Sequence, residues 1–216
     1  MSTLHPSPLG QRRPHREELP RFANAHITDR LPTPANPYPV KLLIVGINPG
    51  LWTAAVNAPF SHPGNRFWPA LHQAGIVTPQ VDATAGMSDK DEARLQELGI
   101  AITNLVPRAT ARADELTGDE LRASVPRILN LAEQLRPRAV VIVGITAYRT
   151  AFTQRKAKLG LQDTSALENW PADVQLWVLP QPSGLNAHET INSLAEKWRT
   201  VWEAIGESPH ELPENS

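Results

Sequence analysis

The chain has 216 residues, 41% of them hydrophobic, with 21 Lys and Arg against 22 Asp and Glu for a formal net charge of −1. That is enough apolar material for the core of one sizeable domain. Cysteine is absent, which excludes a disulfide framework, a thiolate zinc site, a cysteine-ligated iron–sulfur cluster and a cysteine nucleophile. The N-terminus has no apolar core of signal-peptide length and no run approaches a bilayer span, so a soluble, intracellular protein is the expectation.

Residues 1–37 are rich in Pro and Arg without a sustained apolar period and read as an extended or loosely docked arm. Residues 38–206 read as a single domain and 207–216 as a C-terminal tail. Within the domain, apolar runs ending in turn chemistry predict buried strands at Lys41 to Ile47, Ile100 to Val106, Ala139 to Gly144 and Leu176 to Pro180. Helical patterns fall between them: Asn65 to Ala74, Ser88 to Leu98 with Ser88 as cap and Gly99 as stop, Asp119 to Leu135 interrupted by Pro126, and Thr146 to Lys158. A last helix carries Ile191, Leu194, Trp198, Val201, Trp202 and Ile205 at helical spacing, with Asn186 and Glu189 as its expected capping pair. Alternating strands and helices predict an α/β fold, three-layer α/β/α with a short, mainly parallel central sheet.

Charge is unevenly distributed. No Asp or Glu occurs from Arg30 through Val81, from Gln134 through Gln162, or from Val174 through His188. Segments like these, if they share a surface, do not repel a polyanion. The sharpest local feature is Gly46-Ile47-Asn48-Pro49-Gly50, directly after the run Leu42 to Val45. Pro49 lacks a donor and the glycines allow backbone angles closed to other residues, so the chain must turn and display Asn48 at a strand's carboxyl end, where parallel sheets bind ligands. An isolated Asn-Pro-Gly is ordinarily no more than a turn.

Its surroundings say more. Gly46 to Leu51, followed by Phe60-x-His62-Pro63-x-Asn65-Arg66-Phe67-Trp68, is similar to the first motif of the mismatch-specific uracil-DNA glycosylases, bacterial relatives of thymine-DNA glycosylase. Thr103-Asn104-Leu105-Val106-Pro107-Arg108 resembles the family's second-strand segment, and Leu179-Pro180-Gln181-Pro182-Ser183-Gly184-Leu185 its intercalation loop. The three blocks occur in the family's order across roughly residues 38 to 206.

The resemblance implies roles residue by residue. Asn48 would position the water that attacks the anomeric carbon, which suits a reaction driven by leaving-group departure, where orientation and electrostatics outweigh nucleophile strength. Phe60 would stack on the extruded base, Ile47 and Gly50 would line the base pocket, Thr53 would lie near the pyrimidine C5, and Asn104 would read the base edge. Phe67 and Trp68 are assigned to core packing. Ser183, Gly184 and Leu185 would form the wedge, Leu185 filling the gap and Ser183 contacting phosphate. Asn186 stands where relatives often carry Ser, with Ala187 in place of their Arg, so reading of the opposite guanine would rest mainly on backbone groups of Gly184 and Leu185. Asp114, the first acid after the strand of Asn104, is a candidate second catalytic group, against the plainer reading of a surface Asp near a helix start.

Neither a cofactor nor a metal is expected, since His62 and His188 have no second His at ligand spacing. His5-Pro6-Ser7-Pro8-Leu9 resembles a wedge motif of the broader superfamily, but it precedes the first strand. The partner implied is double-stranded DNA containing G:U or related lesions, the protein acting as a cytoplasmic, nucleoid-associated monomer. No lysine falls in the matching motifs, so lyase chemistry is not expected. A mismatch binder without catalysis is the second reading. An α/β nucleotide-binding or hydrolase domain that shares only the strand-turn geometry is the third, although neither a Gly-x-x-x-x-Gly-Lys loop nor a Gly-x-Ser-x-Gly elbow is present.

Overall fold

In the computed structural model, which describes residues 4–207, five strands form one sheet in the order β2-β1-β3-β5-β4. The strands are β1 (Leu42–Gly46), β2 (Ile100–Asn104), β3 (Ala139–Val143), β4 (Gly160–Leu161) and β5 (Gln175–Leu179). β1 pairs in parallel with β2 and β3, β3 with β5, and the two-residue β4 runs antiparallel along β5. Every residue of β1, β2 and β3 is buried. Such continuous burial is what strands covered on both faces require.

Alternate residues of these strands feed two separate cores. Leu42, Ile44, Ile102 and Val141 join Phe67, Trp68, Leu71, Leu95, Leu194 and Trp198 on one side. Leu43, Val45, Val140 and Ile142 join Leu121, Ile128, Ala132 and Tyr148 on the other. The result is the expected three-layer α/β/α fold, because the period of two along each strand must bury both faces. The first layer holds α2 (Phe67–Gln73), α3 (Asp89–Glu97) and α7 (Ile191–Ala204); the second holds α4 (Gly118–Ala123), α5 (Val125–Leu135) and α6 (Ile145–Ala151).

Several element boundaries differ from the sequence reading. The helix expected over Asp119 to Leu135 is two helices meeting at Ser124, and Pro126 falls in the first turn of α5, where its missing N–H would have had no helical partner. The helix expected to reach Lys158 stops at Ala151; the chain turns at Thr153, with φ at 56°, and enters β4. α7 is capped by Thr190, whose hydroxyl accepts from Ser193 N at 3.1 Å, and not by Asn186. A short helix, α1 (Leu51–Val56), follows Gly50 directly. Ser208 to Ser216, within the predicted tail, lie outside the described residues.

The arm is tied to the body along its length. Arg30 exchanges backbone hydrogen bonds with Ile102 at 2.8 and 2.9 Å, so it extends the sheet beyond the free edge of β2. Its side chain, 3% exposed, donates to Glu92 Oε1 at 3.0 Å and to the carbonyls of Thr28 and Asn57. Burial pulls the Arg30 guanidinium below its ordinary value, against the stabilising charge of Glu92. Asn57, the left-handed residue ending α1, also accepts from Thr28 N and donates to Pro6 O. The arm therefore clasps the helix that follows the Asn48 loop. Glu92→Ala would strand the buried Arg30 charge and is predicted to cost about 3–5 kcal/mol in urea or thermal unfolding; a change below about 1 kcal/mol would contradict a buried, paired Arg30.

Candidate active site

The strand order reverses direction between β1 and β3, since the chain leaves β1 for β2 on one side and β3 for β5 on the other. Crevices for ligands open at such switch points, beyond the carboxyl ends of the strands. Here the crevice floor is set by glycines. At Gly144, with φ at 138°, a Cβ would sit 2.7 Å from Ile47 Cδ1, and at Gly46 a Cβ would collide with Asn104 Oδ1 and lie 3.4 Å from Phe60 Cζ. Without those methyl groups Ile47, Asn104 and Phe60 can close around the end of β1.

The loop after β1 is zipped to the loop after β2. Leu105 N donates to Gly46 O, Val106 N to Ile47 O and Thr110 N to Pro49 O, at 2.8 to 3.1 Å. Gly50 is exposed and bridges in parallel to Thr110. This frame fixes the orientation of Asn48. Its Nδ2 donates to Thr110 Oγ1 at 2.7 Å and lies within hydrogen-bonding distance of the carbonyls of Arg108 at 3.1 Å and Pro49 at 3.2 Å. Carbonyls accept only, so the amide nitrogen must face them, and the amide cannot flip. Thr110, 3% exposed, gives its own proton to Arg112 O at 2.7 Å and is therefore an acceptor toward Asn48. Asn48 Oδ1 accepts no hydrogen bond among the described residues and points away from these groups.

Asn104 is 7% exposed, and its side-chain amide makes no hydrogen bond among the described residues. Its backbone carbonyl accepts from Arg127, which also donates to Thr103 Oγ1 at 3.1 Å and pairs with Asp29 at 3.2 Å. Desolvation lifts the Asp29 carboxyl above its ordinary value in spite of that arginine. Phe60 holds a left-handed backbone, φ 54°, uncommon for a bulky side chain. Its ring stacks on Phe67 with centroids 3.9 Å apart. Phe67 and Trp68 are themselves buried in the core. Thr53, also buried, accepts from Ser61 Oγ at 3.3 Å.

The loop after β5 faces the same edge and carries Leu185, 93% exposed. Ser183 Oγ accepts from Leu185 N at 3.2 Å and Ser183 O from Asn186 N at 3.0 Å, which folds the loop into a tight turn. Asn186 donates to Gln181 O and accepts from His188 N, so its amide serves the turn. Gly184 lies so close to Gly64 that a Cβ would strike its carbonyl. Arg66, to which the sequence reading gave no role, braces the loop: it donates to the carbonyls of Asn186 at 2.8 Å, Glu189 at 2.6 Å and Gly184 at 3.2 Å.

Other candidates lie apart from these contacts. Asp114 is exposed in a 3-10 turn (Ala113–Glu115) and pairs with Arg112, with no bond to Asn48 or Thr110. Arg108 is held by Glu120, whose carboxyl the Arg108 hydrogen bond and the Thr117 backbone N–H lower to about 2. His62 accepts from Gly64 N at 3.0 Å and packs edge-on to Trp52; His5, in the arm itself, lies 3.3 Å from Glu92. Among the described residues no group of three or more His, Cys, Asp or Glu could hold a metal, and no helix is long and apolar enough to cross a membrane.

Fold and site together define an α/β protein that carries the side-chain amides of Asn48 and Asn104 and the loop with the exposed Leu185 at the switch-point edge of its sheet. Residues 34–205 match the uracil DNA glycosylase superfamily, and the chain belongs to it. The fold is also similar to a solution NMR structure from Methanosarcina acetivorans, assigned provisionally as a uracil DNA glycosylase: TM-score 0.56, 18% identity, covering 84% of this chain and 98% of that one. A DNA glycosylase role follows from the family.

Because one guanidinium carries three carbonyls, Arg66→Ala is predicted to lower stability by about 1.5–3 kcal/mol and to speed amide exchange selectively at residues 183–189. Unchanged exchange there would mean the loop holds its shape without Arg66.

Proposed function

We propose that the protein is a monofunctional, mismatch-specific uracil-DNA glycosylase that flips uracil from G:U mispairs and hydrolyses its N-glycosidic bond. The observation that carries this reading is the locked Asn48 amide, whose oxygen accepts no hydrogen bond among the described residues, at the end of the strand where the side chains of Asn104 and Phe60 meet over Gly46.

A uracil entering the crevice would stack on Phe60, on the side away from Phe67, and present its Watson–Crick edge to Asn104, which can donate to a carbonyl and accept from an N–H. Ile47 and Gly50 would line this pocket, with Thr53 beneath the C5 side. Asn48 Oδ1 would accept one proton of a water and aim its oxygen at C1′. As the bond from C1′ to N1 breaks, its electron pair leaves with uracil, positive charge builds on the sugar, and the water oxygen bonds to C1′ while losing a proton to solvent. An amide orients but does not deprotonate, so chemistry is expected to be slow. Asp114 is kept as a candidate second group, which would have to leave Arg112 to act.

Leu185 would fill the space left by the flipped nucleotide. In the wedge turn the N–H of Leu185 and the carbonyl of Gly184 are already bonded, while the Gly184 N–H and the Leu185 carbonyl have no partner among the described residues. A carbonyl accepts from the N1–H and amino group of guanine and finds no matching N1–H on adenine, which supports the preference for G. The same turn leaves Ser183 as a candidate phosphate contact and Asn186 as its support. A duplex, a monomer and a cytoplasmic site of action complete the proposal.

The test is single-turnover excision from labelled duplexes carrying G:U, A:U or an unpaired U. The expected order is G:U fastest, with Asn48→Ala slower by about 10²–10³-fold and Asp114→Ala measured alongside. No excision from G:U at stoichiometric enzyme would sink the enzyme reading, and equal loss in both variants would make Asp114 a second catalytic residue.

A further inference from the structure

Among the chain's 21 Lys and Arg side chains, those of Arg16, Lys90, Arg155, Lys156 and Lys158 are the ones that make neither an ion pair nor a hydrogen bond among the described residues. Three of them crowd into four consecutive positions. They stand in the longer of the acid-free segments of the C-terminal half, 134–162, so no carboxylate within it neutralises them. All three are exposed.

The fold gives this loop a definite position. Gly160 pairs with Val178 and Leu161 with Trp177, antiparallel. The chain is therefore descending when it enters β4, and Lys158 and Leu159 lie level with or above the carboxyl end of β5. That is where Pro180 and Gln181 begin the loop that carries Leu185. On the layer side, Arg155 and Thr153 line a cleft of about 280 Å3 together with Arg122 of α4 and Arg149 and Thr150 of α6. Arg149 is fixed there, donating to Ala157 O at 3.0 and 2.6 Å through Nε and Nη2. Arg122 pairs with Asp119, an acid on an open surface. Thr150 Oγ1 bonds back to Thr146 O, which leaves its lone pairs outward.

We propose that this loop and cleft form a second DNA-contact surface, which grips the phosphate backbone of the duplex on the flank of the wedge loop. Rigid guanidinium donors set beside mobile ammonium groups suit a run of phosphates, which needs charge in a line more than shape in a pocket. Cations without internal partners lose no ion pair when they meet phosphate. The surface reads no sequence; its effect is to hold the protein on the duplex while Leu185 searches.

This inference rests on the DNA glycosylase reading, and one experiment separates the two. Full-length wild type and the triple variant Arg155→Ala, Lys156→Ala, Lys158→Ala are titrated by fluorescence anisotropy against an undamaged labelled duplex over a range of salt. The triple variant is expected to lower the slope of log K against log salt by about 2–3, at about 0.9 per phosphate contact, and to weaken binding about 10–100-fold at low salt. Its excision rate at saturating enzyme should match wild type. Arg16→Ala with Lys90→Ala, which removes the free cations elsewhere, should leave the slope unchanged. A triple variant with wild-type slope and affinity would overturn the proposal. So would displacement of the duplex from wild type by millimolar inorganic phosphate at matched ionic strength, which would assign a small-anion site. A wild type that shows the loop-dependent slope but never cuts G:U would instead defeat the glycosylase reading and leave the surface standing.

Discussion

An amide nitrogen surrounded by three acceptors leaves its oxygen one direction to face, and the crevice is organised around that constraint at Asn48. The acceptors come from three places: the next residue in the chain, the Arg108 carbonyl, and the Thr110 hydroxyl, itself committed as a donor to Arg112 O. None would be in position without the backbone bonds that zip 46–49 to 105–110. Those bonds follow from β1 and β2 being parallel neighbours in register, Gly46 beside Asn104. Sheet topology thus becomes side-chain orientation at the place where the fold family binds its ligand. Arg108, whose carbonyl completes the cradle, is pinned through its side chain to Glu120 of α4, so the second helical layer helps to hold the loop.

The site is neutral where chemistry is proposed. No carboxylate bonds to Asn48, Thr110, Asn104 or Ser61 among the described residues, and the acids near the crevice are consumed by arginines. Neutral amides can match a uracil edge and orient water without repelling the phosphates on either side. A side-chain amide orients but does not deprotonate, and the constraint here is geometric: a left-handed Phe60, glycines at 46 and 184 where a methyl would collide, and Arg66 bracing the turn at 183–186.

How much of this was legible in the sequence depends on the range of each interaction. β1, β2, β3 and β5 are built on short apolar runs ended by turn residues, so local pattern suffices. α1 is six residues with a glycine cap, and β4 is two residues, too short for periodicity to register. Pro126 marks a helix start that the pattern alone cannot distinguish from an interruption. Asn186 has the composition of a cap, but the turn after β5 uses its amide first. The arm is the clearest case of hidden order: Arg30 meets Glu92 62 residues away, with no local period to announce it. Likewise the motif blocks point to Asn48 and Asn104, while Thr110 lies outside them, and Arg66, though inside the first block, meets its partners about 120 residues away, so its bracing role has no local signal.

Thr110 fixes the Asn48 amide and so would act on the reaction through it. A double-mutant cycle on the single-turnover excision rate tests it most directly, with Thr110→Val, Asn48→Ala and the pair. Thr110→Val alone is expected to slow excision by roughly 10-fold, on the order of one hydrogen bond's worth, and to add nothing once Asn48 is alanine. Losses that multiply in the double variant would show the two residues working independently and would contradict it.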